Sequence, residues 1–339
     1  MTVIDADAHV IENESTWDHM LESERCFKPR IVGATNGDPT VDYWFIDGRL
    51  MPRSNVEKGL PEAARDMSDL SIRIAHMDEL NIDLQVIYPT IFIFPTARRP
   101  EVDLALCRSY NRWMADIVSK APERIRWVVI PPLLNMDRIA EELKFGKERG
   151  ACGVYLRGLE ADRRLSDSYF FPLYEAASKF DLPICVHSAN GSIDSYDFFL
   201  DEPGFCKFKL AVVGAFHSLL VDGIPEKFPK LRIAIVEVSA QWIPYAIHDL
   251  ARRYQRRGKR LGSRVLEDNR VYVTCQTDDD LEYILGYAGE NNLVIGTDYG
   301  HADNASEIEA LRKLRTEGKI GAQVIDKILG DNPRALYAL

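Results

Sequence analysis

Two aspartates and a histidine close the first apolar run of the chain, in the order Asp5-Ala6-Asp7-Ala8-His9. Three later apolar runs end in residues of the same chemical kind: His187 after LPICV, Glu237 after LRIAIV and Asp298 after LVIGT. Residues two apart in an extended strand share a face, so Asp7 and His9 point the same way. Converging imidazole nitrogens and carboxylate oxygens suit a divalent cation such as Zn, Mn or Fe. A lone buried His or Asp is as readily a satisfied core residue. Asp7, His9, His187, Glu237 and Asp298 together at strand ends read otherwise, because buried carboxylates are costly unless paired or bound to a cation.

Three more groups could join them. Glu12 follows His9 by three residues, His301 follows Asp298 by three, and His217 lies in VVGAFHSLLVDG. The plain alternative for each is a packed or hydrogen-bonded side chain. If all three converge, the eight candidates exceed what one ion needs and suit two ions with Glu237 as a bridge. Asp298, Glu237 and His217 are candidates to move a proton. Arg157, in GVYLRG, could clamp a substrate carboxylate or equally pair with a nearby acid. Trp242, Tyr88 and Gln276 fall at or near strand ends and are candidate pocket residues. His19, His76 and His248 lie on helical stretches and read as structural.

These residues need a scaffold that gathers strand ends. Eight apolar runs rich in Val and Ile read as strands: 3–9, 84–90, 126–132, 152–157, 182–187, 231–237, 270–275 and 293–298. They are continuous rather than alternating, as for strands buried on both faces. Helical stretches separate or follow them at 69–81, 103–120, 137–149, 167–180, 207–222, 244–257, 279–290 and 306–317. An N-cap is expected at Asp137 and a stop at Gly150. Eight β–α units predict a parallel sheet closed into a (β/α)8 barrel, with residues 1–339 forming a single domain. Two long insertions interrupt the repeat. Residues 11–68 contain VDYWFIDGRLMP, which predicts a hairpin about Asp47-Gly48. Residues 188–206 read as a long loop rich in Ser, Asn, Asp and Phe. Both leave strand C-terminal ends and are expected to act as lids.

Composition excludes several functions. The net charge of −10 over 339 residues provides no basic face for nucleic acid. No apolar run approaches the roughly 20 residues needed to cross a bilayer. The acids among the first ten residues are unlike a signal peptide, and the six dispersed cysteines read as reduced, so a cytoplasmic protein is expected. The partner expected is a small-molecule substrate.

Taken together, IDADAHV, LPICVHS, FPKLRIAIVEVSAQWIP, IGTDYGH and ILGDNPRALY resemble the amidohydrolase-related family, which includes the aminocarboxymuconate-semialdehyde decarboxylase group. The resemblance covers nearly the whole chain. It implies a (β/α)8 fold, a divalent metal, a homo- or hetero-oligomer, and hydrolysis or non-oxidative decarboxylation of a small organic acid or amide. The family's first-strand His-x-His or acid-x-His falls on Asp7-x-His9, its fifth-strand His on His187, and its last-strand Asp on Asp298. Its decarboxylases resemble one another in a His at the end of the sixth strand, where this chain has Glu237. That departure leaves two alternatives open: a dinuclear iron or manganese oxygenase served by a reductase partner, and a non-catalytic partner subunit.

Overall fold

The computed structural model describes residues 2–33, 42–53, 55–317 and 319–339. Eight strands form one sheet: β1 (Ile4–Val10), β2 (Leu84–Pro89), β3 (Ile125–Val129), β4 (Ala151–Arg157), β5 (Ile184–His187), β6 (Ile233–Val236), β7 (Val271–Cys275) and β8 (Leu293–Ile295). They pair in chain order, every pair parallel. Hydrogen bonds from Asp298 N to Asp7 O (2.9 Å) and from His9 N to Tyr299 O (2.8 Å) bring β1 to the segment after β8 and close the (β/α)8 barrel. Gly296 makes this approach possible, since a Cβ there would lie 2.3 Å from the Asp7 Cβ.

The outer helices are α1 (Leu70–Leu80), α2 (Pro100–Val118), α3 (Ile139–Glu148), α4 (Phe171–Lys179), α5 (Leu210–Val221), α6 (Ile243–Arg256), α7 (Leu281–Ala288) and α8 (Ala310–Glu317). Helix α1 falls within the predicted stretch 69–81; Asp69 caps it by accepting from Ser71 N, and Asn81 ends it in the left-handed conformation. Asp137 is not a cap. It sits inside a 3-10 turn, Met136–Arg138, that leads into α3. Helix α2 begins at Pro100, whose fixed φ suits a first helical turn. Helix α8 begins at Ala310 rather than Ser306; before it, Glu307 N bonds Thr297 O at 3.1 Å and the Ser306 hydroxyl bonds Asp298.

Both insertions carry structure of their own. Strands Asp42–Ile46 and Arg49–Pro52 form the predicted hairpin, with Asp47 (φ 46°) and Gly48 (φ 79°) at its turn. An unpredicted third strand, Arg30–Gly33, adds to it antiparallel. Residues 34–41 and 54 of this insertion, Val41 of the hairpin motif among them, lie outside the described residues. The second insertion is not a plain loop. It holds a helix, Ile193–Phe198, capped by Ser192, and a π-turn, Phe205–Lys209, that runs into α5. Arg49 of the hairpin donates to Asp197 at 3.0 Å and ties the two insertions together.

Candidate metal centre

The C-terminal ends of four strands deliver side chains to one point. Strand β1 carries Asp7 and His9, β5 ends in His187, and Glu237 and Asp298 lie just past β6 and β8. His187 Nε2 stands 3.2 Å from His9 Nε2, 2.9 Å from Glu237 Oε2 and 3.4 Å from Asp7 Oδ1. His9 Nε2 lies 3.3 Å from Asp298 Oδ1, and His301 Nδ1 lies 2.8 Å from the same oxygen. Two overlapping sets of potential ligands result: Asp7, His9, His187 and Glu237, and then His9, Glu237, Asp298 and His301. Within each set the ligand atoms lie within 4.8 Å of one another, and all six residues are buried.

Among the described residues, four of these atoms have no hydrogen-bond partner: Asp7 Oδ1, Glu237 Oε2, Asp298 Oδ1 and His301 Nδ1. Buried polar atoms are normally satisfied, so a converging group of orphans fits a cation. Anchors stand behind two of the three rings, while His187 Nδ1 has none among the described residues. His9 Nδ1 faces the Pro89 carbonyl at 3.0 Å, which only an N–H can satisfy. Thr90 Oγ1 gives its single hydrogen to Val10 O at 2.8 Å and therefore accepts from His301 Nε2 at 2.9 Å. In the neutral imidazoles, His9 Nε2 and His301 Nδ1 are thus the lone pairs, and both face the cluster, the arrangement typical of metal-binding histidines.

The electrostatics follow from the same contacts. Burial opposes charge on His9, but Asp7, Glu237 and Asp298 outweigh it and lift its pKa well above the ordinary value. His187 rises to about 9 against its own burial, through Glu237 and Asp7. Glu237 is held below the usual carboxylate range: burial works the other way, and His187 and His9 prevail. Burial and then Glu237 push Asp298 well up, while burial and His9 push His301 well down. A divalent ion bound among these groups would compete with protons for the same ring nitrogens.

Backbone strain marks two of the carboxylates. Glu237 (φ 63°) and Asp298 (φ 52°) are both left-handed, an unfavourable state for a non-glycine residue. Sequence inspection shows neither this nor the network beneath. Asp5 accepts from Thr297 N (2.9 Å), Thr297 Oγ1 (2.6 Å) and Gln85 Nε2 (2.9 Å), and burial still pushes it up to about 6. Gln85 in turn accepts from Arg73 Nε at 2.7 Å, and Arg73 donates to the His9 carbonyl at 3.1 Å. The signals available were Gln85 inside an apolar run and Asp5 two residues before Asp7. Arg73 gave none.

The other candidates lie elsewhere. Glu12 is buried but turned aside: its two oxygens accept from Thr90 N and Ile91 N at 3.0 and 2.9 Å, and it belongs to neither ligand set. Burial pushes it up to about 7. His217 is not at the mouth. The inner stripe of α5 is Val212, Ala215, Phe216, Leu219 and Leu220, which leaves His217 outside, 2.9 Å from Asp249 on α6. Arg157 is committed within the chain, the salt-bridge alternative of its sequence reading: it donates to both Glu160 oxygens (2.9 and 2.6 Å) and to the Phe94 carbonyl (2.6 Å). Tyr88 is buried in the barrel, its hydroxyl 2.8 Å from that of Tyr337. Trp242 packs on Phe216 and donates to Ser239 O, and Gln276 lines a separate cleft beside Ser306. The cavity that does reach the cluster holds about 580 Å³ and has Glu237 and His301 in its wall, with Phe94, Tyr196, Lys207 and Phe208.

A profile for amidohydrolases matches residues 4–339. The chain belongs to the amidohydrolase family. It is similar to the 2-amino-3-carboxymuconate-6-semialdehyde decarboxylase of Dictyostelium discoideum, 20% identical over 241 residues that span 68% of this chain and 66% of that relative. Among solved structures it is similar to an amidohydrolase from Mycobacterium avium subsp. paratuberculosis K-10, with a TM-score of 0.79 and 20% identity over 99% of each chain. It is also similar to the 5-carboxyvanillate decarboxylase of Novosphingobium aromaticivorans DSM 12444, complexed with manganese and 4-hydroxy-3-methoxy-5-nitrobenzoic acid. There the TM-score is 0.72 and the identity 20%, over 100% of this chain and 96% of that one. This amidohydrolase therefore shares the barrel of its relatives, and its buried His, Asp and Glu groups could hold a metal. Among the described residues no helix is long and apolar enough to cross a membrane.

Proposed function

We propose that this amidohydrolase is a metal-dependent decarboxylase of a small organic acid. The observation that carries the reading is the group of four buried, unpartnered donor atoms at the strand ends, next to a cavity of about 580 Å³. The decarboxylase relatives, one of them with manganese bound, support decarboxylation over hydrolysis and manganese as the first metal to test. No relative named above is an oxygenase, and that alternative gains nothing from them.

Asp7, His9, His187, Glu237, Asp298 and His301 would hold the metal. The lone pair of His9 can serve only one ion, so a second ion would need a carboxylate bridge, and Glu237 is common to both ligand sets. We favour two ions, because the six residues form two overlapping ligand sets. Bound there, a divalent ion supplies Lewis-acid polarisation of a substrate oxygen. Asp298 would carry the proton on Oδ2, which Ser306 Oγ positions from 2.5 Å, leaving Oδ1 for the metal. When the bond from the substrate carbon to its carboxylate breaks, the electron pair stays on that carbon, the Asp298 proton adds to it, and CO2 leaves.

The test is release of labelled CO2 from a panel of carboxyl-labelled hydroxybenzoates and unsaturated amino acids by manganese-loaded protein. Release that requires the metal and is lost in Asp298→Asn supports the reading. Metal-dependent hydrolysis of amides with no CO2 from any acid overturns decarboxylation.

A further inference from the structure

Lys207 is buried, only 7% exposed, and among the described residues no carboxylate lies within ion-pair distance of its ammonium. One ammonium hydrogen goes to the Leu200 carbonyl at 2.7 Å. The rest of the group lies beside two aromatic rings, 5.2 Å from the centre of Tyr196 and 5.7 Å from that of Phe208. An ammonium has three hydrogens to donate, so this arrangement leaves capacity for another acceptor. Burying a charge on ring faces and one carbonyl alone is costly.

The chain around Lys207 is fixed. Its carbonyl accepts from Asn190 Nδ2 at 3.0 Å, and Asn190 lies on the segment leaving β5, three residues after His187. Glu202, the nearest acid in sequence, is committed to backbone: it accepts from Gly204 N, Phe205 N and Lys207 N at 2.9 to 3.0 Å. Lys207 also lies in the π-turn Phe205–Lys209, an irregularity frequent at functional sites. It shares the cavity wall with Glu237, His301, Phe94, Tyr196 and Phe208.

We propose that the substrate is a planar acid with two anionic groups, one directed to the metal donors and the second bound by Lys207. The proposal rests on the metal-centre reading above. The aromatic walls accommodate the flat body, and the ammonium selects the second charge. Lys207 is thereby a specificity-determining residue: it lets the site discriminate a dianion from a monoanion of the same ring.

The test uses benzoate and the 1,3- and 1,4-dicarboxylates of benzene as probes, titrated calorimetrically into manganese-loaded and into chelator-treated protein. The wild type is expected to bind at least one dicarboxylate roughly 10- to 100-fold more tightly than benzoate, the range of one charged hydrogen bond. Lys207→Met should lose that preference while keeping its affinity for benzoate, and Lys207→Arg, which retains the charge, should keep it. A wild type that does not prefer either dicarboxylate, or a folded Lys207→Met that still does, overturns the proposal. Binding of every probe with equal affinity after chelation overturns the metal reading instead, and the Lys207 preference is read independently of it.

Discussion

Strands β4 and β5 lie side by side, and each ends in a basic residue largely withdrawn from solvent, yet the two ends are built in opposite ways. Arg157, at the end of β4, meets both oxygens of Glu160 and two backbone carbonyls, so the pair is neutralised and hydrogen-bonded. His187, at the end of β5, meets a cluster in which Asp7 Oδ1, Glu237 Oε2 and Asp298 Oδ1 have no hydrogen-bond partner. The first arrangement is complete within the chain and holds the segment carrying Phe92 and Phe94 against the barrel. The second is complete only with a cation. Burial and charge are common to both; what separates a structural pair from a chemical centre is whether the buried atoms are satisfied.

Substitutions should separate the two regions. The largest effect belongs to the unsatisfied one: His187→Ala or Asp298→Ala should reduce turnover to background and sharply lower bound metal in dialysed protein, while the fold survives by circular dichroism. Full metal content with near-normal turnover in both variants would break the comparison. Next comes Arg157→Met, which leaves the buried Glu160 without its cation and with only the backbone N–H of residue 157 to donate to it. It should cost about 3–5 kcal/mol in urea unfolding, the usual penalty for breaking a buried pair, with metal content per folded chain unchanged. A loss below 1 kcal/mol would show that Glu160 finds other partners. Glu237→Gln should be milder, giving up the second ion before the first on stepwise chelation. A single ion whose content and affinity do not change in the variant would leave Glu237 without a bridging role. The smallest effect is expected at His217→Ala, which removes one half-exposed pair with Asp249. Thermal midpoint, metal content and turnover should all stay as they are, and a loss of metal would return His217 to the site.

The barrel rule made most of the centre legible. Strand ends that are far apart in sequence meet at one face, so Asp7, His9, His187, Glu237 and Asp298 could be grouped from their positions after apolar runs, and His301 came with Asp298. For His217, open in sequence between the site and a plain helix position, the helical phase decides: the apolar stripe from Val212 to Leu220 puts it on the outer side. Glu12 could not be resolved from sequence, since its direction depends on how the chain turns after β1. Three features leave no local trace. They are the irregular register between Asp5 and Ala8, the left-handed backbone at Glu237 and Asp298, and Arg73, whose partners are Gln85 and carbonyls distant in sequence. The insertions were readable as insertions, and the Asp47-Gly48 turn as a turn, but the edge strand Arg30–Gly33 has no apolar face to announce it.

Elemental analysis of the purified, dialysed protein, wild type beside His187→Ala, tests the central claim most directly. The account predicts a divalent metal in the wild type, at two ions per chain after loading with manganese, and its loss in the variant. Wild-type protein that stays metal-free after loading yet turns over an acid at full rate would contradict it.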